Sequence, residues 1–404
     1  MGARFVALVR ADPSGVRAGF VALLISTATG LVAGITLGSI TGTLEELPGL
    51  LILVPAAVGM RGNVFGALAS RLGTAVHAGT FRLGWRIDTL VGQNLAASVV
   101  LSMGLALLLA TVAKGFAIAF GVHSAISLAD YVVVAVVGGI IPIVAVMAIT
   151  LAVAALSVRY EWDLDNVGAP IVTAAADSVT LPSLFLATAL VSVDGVTPVV
   201  AAACGVAAGA CLLAGWRSRL DLLRKVVRES VPVLVLSGAV SMFAGLTLHG
   251  RLGSLLEFPA LLVVVPPLLS LSGSLAGILA ARFATKLHLG VVDAERGVWR
   301  GLLDDVTLVY AYATAIFLVL AVTTELLAVA LSIDGPSVSK LVGAVFVAGI
   351  LATTLSNFVG YFGALATFRY GLDPDNFGIP LVSAASDLLG AASFMLSLVV
   401  FGLT

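Results

Sequence analysis

The chain consists largely of apolar stretches long enough to cross a lipid bilayer, and this feature limits its fold more than any other. Of its 404 residues, 60% are hydrophobic and 11% are charged, whereas a soluble domain carries roughly twice that charge. Many of the apolar stretches reach about 18 residues or more, the length typical of a membrane-spanning helix. The sequence therefore predicts an all-α, polytopic membrane protein that contacts the lipid bilayer and no nucleic acid.

The two halves of the chain repeat each other. Gly59–Gly79 matches Ser270–Gly290 at an offset of 211 residues, and two D-x-D-N-x-G-x-P motifs match at an offset of 210. Each half contains five apolar segments, and one further segment, Val196–Gly215, lies between the halves. The predicted helices span 18–42, 49–72, 90–120, 127–158 and 167–193 in the first half, and 231–253, 259–284, 303–331, 339–368 and 377–403 in the second.

This count of about 11 transmembrane helices predicts how the halves are related. Five spans alone would invert the second repeat, and the connecting helix restores its orientation, so the repeats are expected to be related by an axis along the membrane normal. The predicted divisions are a cytoplasmic N-terminal segment 1–17, a first repeat 18–195, a connecting helix 196–215, a cytoplasmic linker 216–230 and a second repeat 231–404.

The basic residues predict the orientation of the chain. Loops that this layout assigns to the cytoplasm contain seventeen Lys and Arg residues, and loops on the opposite side contain three. Cytoplasmic loops of membrane proteins carry an excess of Lys and Arg. We therefore expect a multi-pass protein of the cell membrane with a cytoplasmic N-terminus and an extracytoplasmic C-terminus.

Each half contains one aspartate deep inside an apolar segment. Asp177 and Asp387 each lie eleven residues after the Asn of the repeated motif. If the helix begins near Val167, Asp177 lies roughly 15 Å along it, near the middle of a hydrocarbon layer about 30 Å thick. A carboxylate at that depth costs at least about 2.5–3.5 kcal/mol. The pair indicates a cation site on a membrane path, and the alternative is a protonated or hydrogen-bonded pair that holds helices together.

Polar residues precede the fifth helix in both halves. They are Asp163, Asp165 and Asn166 in the first half and Asp373, Asp375 and Asn376 in the second. One such residue per helix is explained as an N-cap. A pair of acids at a predicted cytoplasmic mouth also concentrates cations there, so both interpretations stay open.

Other polar side chains accompany the buried aspartates. Thr173 and Ser383 lie four residues before them, on the same helical face, and are candidate hydrogen-bonding partners of the carboxylate or of a bound water. Asn63 is a candidate oxygen ligand, although its counterpart Ser274 is a weaker one. Pro and Gly residues around it predict a kinked or broken second helix lining a cavity, and helix packing through small residues is the alternative.

Further polar residues have more than one interpretation. Arg61 falls inside a predicted span, where it is expected to reach the interface, pair with an acid or contact water. Gln93–Asn94 and Asp304–Asp305 occupy matching ends of the third helix, either lining the mouth or serving as plain interfacial residues.

The available ligands indicate the kind of ion. Oxygen ligands without nearby Cys or His suit Mg²⁺ or Ca²⁺ rather than Zn²⁺ or Cu⁺. Mg²⁺ is commonly held through its waters by one or two carboxylates, which favours Mg²⁺ here as the bound and transported ion. No phosphate-binding glycine loop, nucleophile–base set or HExxH motif occurs in the sequence, so neither an enzyme nor a cofactor is expected.

The strings RGNVFGALASRLGTAVHAG, DLDNVGAPIVTAAADSVT and DPDNFGIPLVSAASD resemble the MgtE family of magnesium transporters, and more closely its duplicated relatives in solute carrier family 41. The resemblance implies a five-helix membrane domain, paired about a central pore, with an acid of the fifth helix binding hydrated Mg²⁺. By position that acid matches Asp177 and Asp387. One chain then supplies both halves and can act as a monomer. The cytoplasmic magnesium-sensing domains of bacterial MgtE proteins are absent from the sequence.

Three functions follow from these patterns. The first is transport of a divalent cation, for which the ligand type favours Mg²⁺, through a central path between pseudo-symmetric halves. The second is a proton- or sodium-coupled carrier of a small solute that uses the same aspartates as its coupling site. The third is a membrane scaffold without transport, against which the matched buried acids argue.

Overall fold

The structure is a computed structural model, and it describes most of the chain. The described residues are 10, 13–82, 84, 86–122, 124–160, 164–288, 298–371 and 378–403.

Long helices make up nearly all of the described residues. We number the helices α1 Pro13–Ser39, α2 Thr41–Glu46, α3 Leu50–His77, α4 Leu90–Ala119, α5 (Leu128–Val132, a π-helical turn Val133–Val137, then Gly138–Tyr160), α6 Leu164–Thr188, α7 Val196–Trp216, α8 Asp221–His249, α9 Leu252–Glu257, α10 Pro259–His288, α11 Val298–Leu331, α12 Val338–Tyr370 and α13 Ile379–Val400. Within the described residues, eleven helices are long and apolar enough to cross a membrane. The predicted all-α fold and number of spans are confirmed.

The helix bounds differ from the predicted ones mainly at the connecting segments. α8 begins at Asp221, so most of the segment predicted as a linker at 216–230 is helical. Two short helices, α2 and α9, precede the second long helix of each repeat at matching positions, and the hydrophobic pattern did not predict them. α3 and α10 run without a break through Pro55 and Pro266, so the predicted broken second helix is wrong in its stronger form.

The chain forms two compact units that are not its two sequence repeats. One unit combines residues 1–39 with residues 250–404, and the other comprises residues 40–249. The first helix of the first repeat, α1, therefore belongs to the unit that contains most of the second repeat. Likewise α8, the first helix of the second repeat, belongs to the unit built from the first. The repeats exchange their first helices between the units.

In the unit that contains α1, this helix packs directly against the main chain of α10. A Cβ atom at Gly34 would lie 2.0 Å from the carbonyl oxygen of Val263, and one at Gly30 would lie 2.7 Å from Cα of Pro267. Small residues allow such close backbone approach between membrane helices. The same contact recurs in the other unit, where a Cβ atom at Gly245 of α8 would lie 2.5 Å from the carbonyl oxygen of Leu51 in α3.

An apolar cluster fixes the rotation of α6 about its axis. Phe65, Leu95 and Val146, from three different helices, pack around Val172 and Ala176 of α6, all of them buried. Val172 and Ala176 are four residues apart and share one face of the helix. The next residues along the chain, at 173 and 177, lie about 100° further round. The apolar core thereby determines where the polar face of α6 points.

Candidate functional site

Both sequence-predicted aspartates are buried inside the protein. The exposed fraction is 7% for Asp177 and 9% for Asp387. Asp177 lies near the middle of α6. Their burial removes carboxylates from water, which costs free energy unless a partner or a bound cation compensates.

In the first repeat, Asp177 and Thr173 face a glycine surface of α3. A Cβ atom at Gly62 would lie 3.2 Å from Cγ2 of Thr173 and 3.8 Å from Oδ1 of Asp177, and one at Gly66 would lie 3.2 Å from Oγ1 of Thr173. Gly62 and Gly66 are one helical turn apart, as are Thr173 and Asp177. Two glycines of α3 therefore leave the space that the hydroxyl and the carboxylate of α6 occupy.

In the second repeat, the matching glycine leaves a longer distance to the fifth helix. A Cβ atom at Gly273 of α10, the counterpart of Gly62, would lie 3.7 Å from Oγ of Ser383. Val382 and Ser386 of α13 are buried, as are their counterparts in α6, and Asp387 follows Ser386 directly. Thr173 and Asp177 thus lie beside the second helix of the first repeat, and Ser383, one turn before Asp387, lies beside the second helix of the second repeat.

Asn63, another predicted ligand, differs in position from Gly62, the residue of α3 that faces Asp177. Asn63 is half-buried, but it follows Gly62 directly and so lies about 100° further round α3. Its role as an oxygen ligand stays a prediction.

The polar residues predicted at the cytoplasmic end of the fifth helices lie only partly within the described residues. α6 begins at Leu164, so Asp165 and Asn166 lie in its first turn, where a negative charge favours the helix. Asp163, Asp373, Asp375 and Asn376 lie outside the described residues.

Arg61 was expected to reach the interface, to pair with an acid or to contact water, and this prediction is wrong. Its side chain is fully buried. Nη1 donates to the carbonyl of Ala57 and Nη2 donates to the carbonyl of Ala135, both at 3.0 Å. Ala135 belongs to the π-helical turn of α5, and a π turn lengthens the main-chain hydrogen bond by one residue, which leaves a carbonyl open to a side-chain donor. The turn thereby supplies the partner that sequence reasoning sought among acids.

A glycine also makes room for this guanidinium. A Cβ atom at Gly139 would lie 2.6 Å from Nη2 of Arg61. The presence of an arginine inside an apolar span was the available sequence signal. The π turn that receives it has no sequence signature of its own, so the contact could not be predicted.

Polar side chains near the start of the third helix of each repeat form hydrogen bonds with the second helix. Nε of Arg71 in α3 donates to Oδ1 of Asn94 in α4 at 2.8 Å. At the matching place, Nε of Arg282 donates to Oδ1 of Asp305 at 2.8 Å, and Nζ of Lys286 lies 2.5 Å from Oδ2 of the same carboxylate. Asn94 and Asp305 are both buried, so these two residues join helices rather than present a free mouth-lining surface.

Among the described residues, the predicted ligands at the two sites are oxygen atoms. Each site offers one carboxylate with a hydroxyl one turn away on the same helix. Among the described residues, no group of three or more His, Cys, Asp or Glu side chains is arranged to hold a metal ion. A sparse set of oxygen ligands suits a hard cation that keeps most of its water, as Mg²⁺ does.

Comparison with known proteins assigns both repeats to one family. A family model described as MgtE, divalent cation transporter, matches residues 54–187 and 265–397. The chain is 24% identical over 377 residues to solute carrier family 41 member 3 of Mus musculus, covering 86% of this chain and 74% of that protein. It is 23% identical over 401 residues to the Rattus norvegicus protein of the same name, covering 92% and 84%.

Among solved structures, the Vibrio cholerae MATE transporter VcmN in its bent form covers 96% of this chain and 99% of its own, with 14% sequence identity and a TM-score of 0.32. A likeness at that level carries no information about the site. The family match is different in kind, because it includes α3 to α6 in one repeat and their counterparts in the other, with a buried aspartate in each. The chain therefore belongs to the MgtE family of divalent cation transporters.

Proposed function

We propose that this protein carries Mg²⁺ across the membrane and that Asp177 and Asp387 bind the ion on its way. The observation that supports the proposal is the repeated contact between the fifth and second helices. In the first repeat, the buried carboxylate of Asp177 and a hydroxyl one turn away lie beside a glycine of the second helix. In the second repeat, the hydroxyl of Ser383 lies beside the matching glycine, one turn away from the buried Asp387. A divalent cation offsets the cost of burying such a carboxylate.

Several features support Mg²⁺ over other ions. The candidate ligands are oxygens, which suit Mg²⁺, Ca²⁺ and Mn²⁺ rather than softer metals. Among the described residues, each site has one assigned carboxylate, which is too few for an ion that sheds its water and takes six to eight protein oxygens, as Ca²⁺ does. An ion bound through its own water shell needs fewer protein ligands. We therefore propose hydrated Mg²⁺ as the species that these aspartates bind.

The repeat also underlies the proposed path and orientation. We propose that both aspartates serve one central path between pseudo-symmetric halves, as the internal repeat and the family suggest. The charge distribution supports a cytoplasmic N-terminus, and cysteine labelling from either side of the membrane tests it. The protein is proposed to act as a transporter without catalysing a chemical reaction.

Flux measurements on the purified protein test the proposal. The protein is reconstituted into liposomes that contain a Mg²⁺-sensitive dye, and uptake is followed as external Mg²⁺ is varied. Asp177→Asn or Asp387→Asn removes one of the two carboxylates that serve the path, so each is expected to slow Mg²⁺ uptake by at least about tenfold, or about 1.4 kcal/mol. The double variant is expected to be inactive yet to insert normally, because it removes two buried charges.

Asp130→Asn is a matched control. Asp130 is buried to the same extent as Asp177, but its carboxylate accepts hydrogen bonds from Ser127 in a capping box at the start of α5. Its substitution is expected to lower stability while leaving the Mg²⁺ concentration dependence intact. A double Asn variant that still carries Mg²⁺ at the wild-type rate refutes the assigned role.

The same liposomes test the competing function. A proton- or sodium-coupled carrier shows no Mg²⁺ uptake of its own, and its two aspartates alter the movement of the coupling ion instead. Uptake of Mg²⁺ without an imposed proton or sodium gradient therefore favours the proposed function. Absence of any Mg²⁺ uptake by the folded wild-type protein refutes it.

A further inference from the structure

The two candidate sites differ in one buried charge. Arg61 directly precedes Gly62, the glycine that faces Asp177, whereas the corresponding position in the second repeat is Ser272, which directly precedes Gly273. Both side chains are fully buried. The first site therefore has a cation in its second helix, and the second site has a neutral hydroxyl at the same place.

The structure holds this charge in one position. Two main-chain carbonyls, those of Ala57 and Ala135, accept hydrogen bonds from the guanidinium, and Gly139 leaves the space for Nη2. In the part of the chain that the structure describes, these partners are neutral, so they orient the guanidinium without cancelling its charge. An arginine keeps its proton in proteins. Arg61 is therefore a permanent positive charge inside the first repeat.

This charge lies near enough to act on an ion at Asp177. A Cβ atom at Gly62 would lie 3.8 Å from Oδ1 of Asp177, and adjacent Cα atoms are about 3.8 Å apart. The Cα atom of Arg61 is thus within about 10 Å of the carboxylate, and its side chain extends from there toward the carbonyl of Ala135 in α5. At such a distance and in a protein interior, a unit charge repels a divalent cation enough to weaken its binding by at least about tenfold.

We propose that Arg61 makes the two magnesium sites unequal by weakening the one at Asp177 and leaving the one at Asp387 as the tighter site. This inference rests on the proposed function, because it concerns the relative Mg²⁺ affinities of the sites at the same two aspartates. Conduction requires binding that is favourable enough for entry and weak enough for release. Two carboxylates of equal and high affinity hold a divalent ion firmly, and a fixed cation beside one of them allows the ion to leave.

Mg²⁺ titrations of single-site proteins test the inference. Asp387→Asn leaves the site at Asp177, and Asp177→Asn leaves the site at Asp387. In the Asp387→Asn background, Arg61→Gln is expected to tighten Mg²⁺ binding by at least about tenfold, or about 1.4 kcal/mol. In the Asp177→Asn background, the same substitution is expected to leave affinity within about twofold, because the charge acts on the other site.

Ser272→Ala is the matched control, since it changes the same position of the other repeat without changing charge. A purely structural role for Arg61 lowers the melting temperature of Arg61→Gln without tightening Mg²⁺ binding, and that outcome overturns the inference. Equal tightening in both backgrounds overturns it too. Arg61→Lys retains the charge and is expected to change affinity less than Arg61→Gln does.

A comparison without any Arg61 variant covers the case in which Arg61→Gln does not fold. Of the two single aspartate variants, Asp387→Asn is expected to bind Mg²⁺ at least about tenfold more weakly than Asp177→Asn does. Equal affinities overturn the inference while leaving Mg²⁺ transport by the wild-type protein intact. Loss of the proposed function shows differently, as a folded wild-type protein that neither binds nor carries Mg²⁺.

Discussion

Replacing Gly34 with alanine tests the close crossing between α1 and α10. The new Cβ would lie 2.0 Å from the carbonyl oxygen of Val263 and 2.9 Å from its carbonyl carbon, whereas ordinary contact needs about 3.5 Å. Because the obstructing atoms are main chain, no rotamer change relieves the clash, and the helices must move apart by about 1 Å or more.

The size of the effect follows from two opposing terms. Overpacking of this kind costs about 1–3 kcal/mol, and the rigid obstacle favours the upper end. Alanine regains about 1 kcal/mol through its helix propensity. We therefore expect a net loss of about 2 kcal/mol in the free energy of unfolding, which lowers the melting temperature by about 4–8 °C for a unit of roughly 200 residues.

Thermal unfolding of the purified protein in detergent measures this loss. Gly115→Ala is the control, because nothing lies within 4 Å of a Cβ atom there, and it is expected to melt at or slightly above the wild-type temperature. Gly245→Ala should destabilise as Gly34→Ala does, since its Cβ would lie 2.5 Å from the carbonyl oxygen of Leu51. An unchanged melting temperature for Gly34→Ala shows that the two backbones are not in contact.

Three further predictions concern the site and the inner ends of the helices. Gly62→Ala should slow Mg²⁺ uptake into liposomes several-fold more than Gly273→Ala does, because a Cβ atom has 3.2 Å of clearance at the first position and 3.7 Å at the second; equal rates contradict this. Asp305→Leu should destabilise the protein by about 1.5–3 kcal/mol, the range for hydrogen bonds to charged groups, because the side chains of Arg282 and Lys286 are 40% and 26% exposed and regain water; Asp305→Asn, which keeps an acceptor, should cost less by thermal unfolding. Asp165→Asn with Asp375→Asn should lower uptake only at low Mg²⁺ concentration, and an unchanged concentration dependence reduces these acids to helix caps.

The sequence predicted best those features that depend mainly on one energetic requirement. A helix that crosses a bilayer must satisfy its main chain internally and present apolar side chains to lipid, and this requirement predicted the eleven spans found in the described residues and most of their bounds. It failed at the connections. α8 begins at Asp221 among charged residues, because helix packing and capping extend a helix beyond its apolar part.

The candidate site was predictable in part. The repeat and the apolar surroundings identified Asp177 and Asp387, with Thr173 and Ser383 one turn away. Their metal-binding role stays a prediction. The pattern around Pro55 suggested a broken helix, but α3 remains continuous, because neighbouring groups in a helix bundle can satisfy the main-chain groups that a proline frees.

The sequence by itself determined the number of spans, the internal repeat and the position of one acid within each fifth helix. These depend on local composition and on spacing along one helix, which a linear pattern records. Only the tertiary structure decided that α1 and α8 are exchanged between the units. It also decided that Arg61 binds a carbonyl of a π turn rather than an acid. Both outcomes depend on contacts between residues far apart in the chain, where glycines permit close approach and irregular turns free main-chain acceptors.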